Sequence, residues 1–172
     1  VNLGLAIDVP SANGERRLLV PSVKNADTLD LAGFIDAYDA LVVKARKGQL
    51  TVDDFKDTTA TLTNPGMIGT LNSVPRLMPG QGLIMGVGAM TYPAAFAGAS
   101  PETLARQAVG KVLTLSNTYD HRVIQGAQSG ELLRLMERKL MGLDGFWNRS
   151  FKALRIPHEP VHWDQDVTYD PL

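Results

Sequence analysis

Apolar and polar positions alternate through the opening of the chain, with Leu3, Leu5, Ile7 and Val9 sharing one side. Period two marks a strand with one buried face, so residues 1–9 are expected to be extended. Ser11-Ala12-Asn13-Gly14 supplies turn formers, and an apolar return over residues 17–20 predicts a hairpin. The period then lengthens. From Asp27 or Thr28 onward, Leu31, Phe34, Ile35, Tyr38, Leu41 and Val42 recur at helical spacing behind an acidic start that includes Asp30. Lys44, Arg46 and Lys47 suit the negative end of the helix dipole, and Gly48 ends the helix.

Asp53, Asp54 and Phe55 read as a short turn or helix, and the threonine-rich residues 58–63 as a strand stopped by Asn64-Pro65-Gly66. Residues 83–87 and 111–118 read as two further strands. Leu132, Leu133, Leu135, Met136 and Leu140 place a second helix over about residues 127–140. Beyond Gly145 the period is lost, and residues 146–172 are expected as a linker, leaving residues 1–145 as the folded domain. Strands mixed irregularly with two helices predict an α+β sandwich of mixed sheet and packed helices.

Composition narrows the function classes. The net charge is −1 and no basic patch is visible, which argues against a nucleic-acid binder. There is no apolar run long enough for a membrane span. Cysteine is absent, so disulfides, thiolate metal sites and a cysteine nucleophile are excluded, and a cytoplasmic setting is expected. His158-Glu159-Pro160-Val161-His162 matches a zinc-protease pattern letter by letter, but Pro160 breaks the helix that would put both histidines on one face. No metal site is expected.

Three stretches carry candidate chemistry. In Tyr119-Asp120-His121-Arg122-Val123-Ile124-Gln125-Gly126-Ala127 a histidine stands between an apolar strand and an apolar helix. Histidine is the side chain best suited to act as a base near neutrality, yet a junction histidine is equally readable as structural. Thr63-Asn64-Pro65-Gly66 is readable as a strand end with a glycine turn, or as a hydroxyl and backbone amides facing a developing oxyanion. In Gly80-Gln81-Gly82-Leu83-Ile84-Met85-Gly86-Val87-Gly88 the glycines bracket a strand instead of opening a helix, so it is no dinucleotide fingerprint.

Taken in order, these stretches resemble the acyltransferase catalytic domain of 2-oxo-acid dehydrogenase complexes, whose signature is Asp-His-Arg-x-x-Asp-Gly. Leu19-Val20-Pro21, Lys24-Asn25 and the opening strand also match, so the resemblance runs from Val1 to about Leu140. The Asn-Pro-Gly turn, Gln125 and the Trp163-containing tail resemble the branch fused to a thiamine-dependent part in actinobacterial 2-oxoglutarate decarboxylase/dehydrogenases.

The resemblance implies a chloramphenicol-acetyltransferase-like sandwich, of which this chain is the C-terminal portion. It implies succinyl transfer from dihydrolipoamide to coenzyme A within 2-oxoglutarate oxidation in the tricarboxylic acid cycle. His121 would be the base and Thr63 the oxyanion donor, supported by Asp120, Arg122 and Gln125. Arg76 would face a coenzyme A phosphate, although an ordinary exposed arginine fits that position equally. A lipoyl-bearing acyltransferase subunit and dihydrolipoamide dehydrogenase are the implied partners, and the site is expected between subunits of a homotrimer. Thiamine diphosphate and magnesium would belong to a part outside this chain. Gln125 departs from the family's usual Asp or Asn, which keeps open a scaffold or regulatory module that retains the fold without full chemistry. A stand-alone antibiotic acetyltransferase of the same fold is the third alternative.

Overall fold

The computed structural model describes residues 1–10 and 14–157; the start of the first turn and the His158–His162 pattern lie outside them. The alternating opening splits at Ala6 into β1 (Leu3–Leu5) and β2 (Ile7–Pro10). β2 pairs antiparallel with β3 (Arg16–Leu19) as a two-stranded sheet, with Asp8 and Arg16 in an ion pair across it. β1 instead pairs antiparallel with β4 (Ser22–Val23) and parallel with β5 (Ala60–Thr63). Alternation reports which face is buried; it is blind to a change of pairing partner, and so it predicted one strand where there are two.

β5 continues parallel into β6 (Leu83–Val87), which pairs antiparallel with β7 (Leu115–Tyr119). The five-stranded sheet therefore runs β4-β1-β5-β6-β7 and is mixed, as expected for the α+β class. The last strand is displaced from its predicted range: Val112 makes only an isolated bridge to Thr91, and regular pairing begins at Leu115.

One face of the sheet carries the helices. α1 (Leu31–Arg46) starts where the Asp30 carboxylate accepts from the Gly33 N–H at 2.7 Å, and it buries Leu41 against Leu5 and Val23. A short helix, α2 (Pro101–Arg106), precedes β7 and is capped by Ser100. α3 (Gly126–Leu140) is tied to the sheet by the Ser129 hydroxyl donating to Asn117 Oδ1 at 3.0 Å.

The residues just past Gly145, expected as linker, form α4 (Phe146–Ala153), which packs against α3 and α1. Phe146, Trp147, Ser150, Phe151 and Leu154 do carry a helical period, but over little more than two turns. Trp147 anchors the element by donating its indole N–H to the Leu140 carbonyl at 2.9 Å.

An irregular strap, residues 71–81, covers the opposite face. It needs small residues beneath it: the Ser116 hydroxyl donates to the Ser73 carbonyl at 2.5 Å, and Gly86 lies under Pro75. At its end Gln81 is buried and accepts from the fully buried Thr61 hydroxyl at 2.7 Å. The turn after β5 is held by a closer approach still. A side chain on Gly66 would run into the backbone of Gly88 and Ala89, and one on Gly88 into the Leu71 carbonyl.

Replacing Gly88 by alanine should therefore force the turn off the end of β6, lowering stability by about 1–3 kcal/mol through overpacking. Urea denaturation reads this directly, and an unchanged midpoint would show that the backbones are not in contact.

Candidate active site

The histidine junction is built by continuing the sheet one residue past β7. The Asp120 N–H donates to the Gly82 carbonyl at 2.9 Å, while the Asp120 carbonyl accepts from Val123 and Ile124 at 3.1 and 3.0 Å. This closes a tight loop over residues 120–124. Its side chains lock it further. Arg122 grips the Asp120 carboxylate with Nε, at 2.9 and 3.1 Å, and with Nη2 at 2.6 Å, and the Arg122 backbone N–H adds a bond at 3.0 Å.

Hydrogen bonds from the Arg122 side chain, then from its backbone N–H, hold the Asp120 carboxyl down to about 2, and the same contacts raise the guanidinium. The pair is thus locked in its charged form. Because Arg122 is largely exposed, the clamp contributes shape far more than stability.

His121 sits inside this loop, exposed, with no hydrogen bond to its side chain among the described residues. Among the described residues its one ring contact is with Tyr119, at 5.6 Å between centroids and tilted 42°. Gln125 caps α3 through its own N–H, which donates to Gln128 Oε1 at 2.8 Å. The Gln125 side chain is exposed and makes no hydrogen bond with the Asp120–Arg122 clamp.

Thr63 closes β5, half-buried, and its hydroxyl has no hydrogen-bond partner among the described residues. The sheet register separates it from His121. Thr63 is level with Gly86 and Ser116, whereas Tyr119 is level with Leu83 and Ala60. Two strand spacings give about 10 Å across the sheet and three residues give about 10 Å along it. The two catalytic candidates therefore lie at opposite ends of one sheet, at least roughly 14 Å apart.

Arg76 is exposed on the strap and forms no ion pair or hydrogen bond among the described residues. Two open grooves are present. One, of about 560 Å³, is lined by Leu18, Phe55, Met78 and Gln81; the other, of about 810 Å³, by Leu113, Leu133, Leu140 and Trp147. Neither contains His121, Thr63 or Arg76. Among the described residues, no group of three or more His, Asp or Glu side chains is placed to hold a metal ion.

Tyr119 is the residue of this motif to which sequence reasoning gave no role. An aromatic two positions before the histidine, at the last residue of β7, was the available signal.

Comparison with known proteins places this geometry. Residues 1–144 match the family model of the 2-oxoacid dehydrogenases acyltransferase (catalytic domain). The 2-oxoglutarate dehydrogenase E1/E2 component of Corynebacterium glutamicum is 53% identical over 97% of this chain and 14% of that protein. The multifunctional 2-oxoglutarate metabolism enzyme of Mycolicibacterium vanbaalenii is 54% identical over 96% of this chain and 13% of its own length. The chain thus spans about one seventh of these relatives.

Among solved structures, the truncated catalytic core of the 2-oxoacid dehydrogenase multienzyme complex from Thermoplasma acidophilum superposes with a TM-score of 0.65 at 26% identity. That match covers 83% of this chain and 58% of that one. The dihydrolipoamide acetyltransferase of Azotobacter vinelandii, in which a serine, a histidine and an asparagine have been investigated for their catalytic role, gives 0.60 at 28% identity. Here 79% of this chain and 51% of that one are covered. The chain belongs to the family of 2-oxoacid dehydrogenase acyltransferase catalytic domains.

Proposed function

We propose that this chain carries the histidine and the hydroxyl of an acyltransferase site that moves a succinyl group from dihydrolipoamide to coenzyme A. The observation that carries the proposal is the junction itself: a clamped Asp120–Arg122 loop presents an exposed imidazole with no hydrogen-bond partner among the described residues. The 2-oxoglutarate names of the relatives favour succinyl as the acyl group. In the Azotobacter enzyme the investigated histidine and asparagine stand four residues apart, as His121 and Gln125 do here.

His121 takes the proton of the coenzyme A thiol as its sulfur attacks the thioester carbonyl. The carbonyl oxygen becomes an oxyanion, which the Thr63 hydroxyl stabilises by donating a hydrogen bond. Collapse breaks the bond to the dihydrolipoamide sulfur, and His121 returns its proton to that leaving thiolate. No covalent enzyme intermediate is needed.

Opposite ends of one sheet cannot serve one tetrahedral centre, so Thr63 works with His121 of the partner subunit. Met67, Ile68 and Val74, next to the Thr63 turn, are 85%, 79% and 85% exposed, the kind of apolar surface that a second copy covers. Trimeric association supplies that copy. Arg76 is free to meet a coenzyme A phosphate. Lipoyl-bearing and dihydrolipoamide dehydrogenase partners complete the cycle, thiamine diphosphate and magnesium serve the decarboxylating part, and absence of cysteine suits a cytoplasmic setting. Gln125 favours a second reading, a trimerising scaffold with weak chemistry; it would assemble normally yet transfer no acyl group.

Three measurements test this. With succinyl-dihydrolipoamide and coenzyme A, His121→Ala should lose about 10²–10⁴ in kcat; normal turnover in that variant removes the base. Thr63→Ala should lose about 10²–10³ while Thr63→Ser stays active, and equal activity of all three proteins would rule out the oxyanion donor. The clamp adds a pH test. Its carboxyl is depressed, so its contribution is intact above the ordinary carboxylate range and is lost only as pH falls toward about 2. Asp120→Asn should consequently lower the height of the pH–rate profile throughout the range in which the clamp is charged; a folded variant with the wild-type profile would show that the clamp does not shape the site.

A further inference from the structure

His121 lies in a loop whose main chain is fixed on both sides, by the Asp120–Gly82 bond before it and by the Arg122–Asp120 clamp after it. That leaves the two side-chain torsions of the imidazole to be set. Neither the clamp nor Gln125 sets them. The Asp120 carboxylate is occupied by Arg122, and no described residue bonds the ring nitrogens.

We propose that Tyr119 is the positioning residue for His121: its ring, braced between the end of β7 and the first turn of α3, is the wall against which the imidazole is oriented. The inference deepens the proposed function and rests on His121 being the base. The centroid separation of 5.6 Å lies within the range of about 4.5–7 Å in which aromatic rings attract beyond simple area burial, and the tilt avoids the unfavourable face-to-face sandwich.

Tyr119 is itself held. Its backbone is level with Leu83 in the sheet, and it is half-buried. Its hydroxyl reaches α3, close enough that a side chain placed on Gly126 would touch it at 3.5 Å.

The test compares Tyr119→Phe, Tyr119→Leu and Tyr119→Met in the complete protein, assayed with succinyl-dihydrolipoamide and coenzyme A. The phenylalanine variant keeps the ring and should stay within about twofold of wild type in kcat. The two aliphatic variants should lose roughly 10- to 100-fold in kcat with both KM values unchanged, as expected when only orientation of the base is disturbed.

Wild-type kcat in a folded leucine or methionine variant would overturn the proposal. So would a phenylalanine variant as impaired as the leucine one, since the hydroxyl and not the ring would then matter. If His121→Ala is inactive while the aliphatic variants are normal, Tyr119 alone is dismissed. If His121→Ala is itself active, the base assignment falls together with its positioning residue.

Discussion

Every part of the candidate site hangs from β6. This strand is paired on both sides, parallel to β5 and antiparallel to β7, and its two ends hold the two chemically interesting turns. At its start, Gly82 accepts from Asp120 and so begins the histidine loop. At its end, Gly88 lies against Gly66 and beneath Leu71, which seats the Thr63 turn. Between them, Gly86 and Ser116 leave room for the strap to cross the sheet face. A larger residue at either glycine would push the covering backbone away, so small side chains here are a packing requirement before they are anything catalytic.

The division of labour at the histidine loop follows from its exposure. An ion pair with an arginine this open to water adds little to folding free energy. Yet a bidentate guanidinium–carboxylate contact, with a backbone N–H added, fixes direction as well as distance. The loop thus gains a defined shape at a place where hydrophobic burial is unavailable. A base that must meet substrates from solvent needs this arrangement: main chain held by charge-assisted bonds, ring left uncovered. The aromatic neighbour then restricts the ring without capping its nitrogens.

Much of this was legible in the residues, for identifiable reasons. α1 and α3 announced themselves because each spans four turns of amphipathic period, and β5 and β6 because β-branched or aliphatic runs ended in Asn-Pro-Gly and Gly-x-Gly. α4 was hidden by its eight residues, too few for its period to stand out beside a proline-containing tail. The strap over residues 71–81 has no period, since its order comes from bonds to the sheet beneath it. The histidine motif revealed its chemistry only as a constellation with Thr63 and the glycine-bracketed strand. Tyr119 stood at the head of the histidine motif with no role assigned, because a ring contact two positions along has no pattern of its own.

Strand direction was the property least visible in sequence and the most consequential for function. Thr63 and His121 each follow a strand, which suggests two neighbouring turns at one sheet edge. Because β5 and β7 run in opposite directions, following a strand means the reverse for each, and the turns emerge at opposite ends. Under the proposed function this makes the site a property of the assembly: each subunit supplies a hydroxyl at one end and a base at the other. Activity then depends on association by mass action, and the exposed Met67, Ile68 and Val74 serve catalysis indirectly by driving it. Weakening that apolar surface would lower activity through dissociation, recoverable at high protein concentration, whereas a change at Tyr119 would lower it at every concentration. The two effects are physically distinct, and they separate what the fold contributes from what the loop contributes.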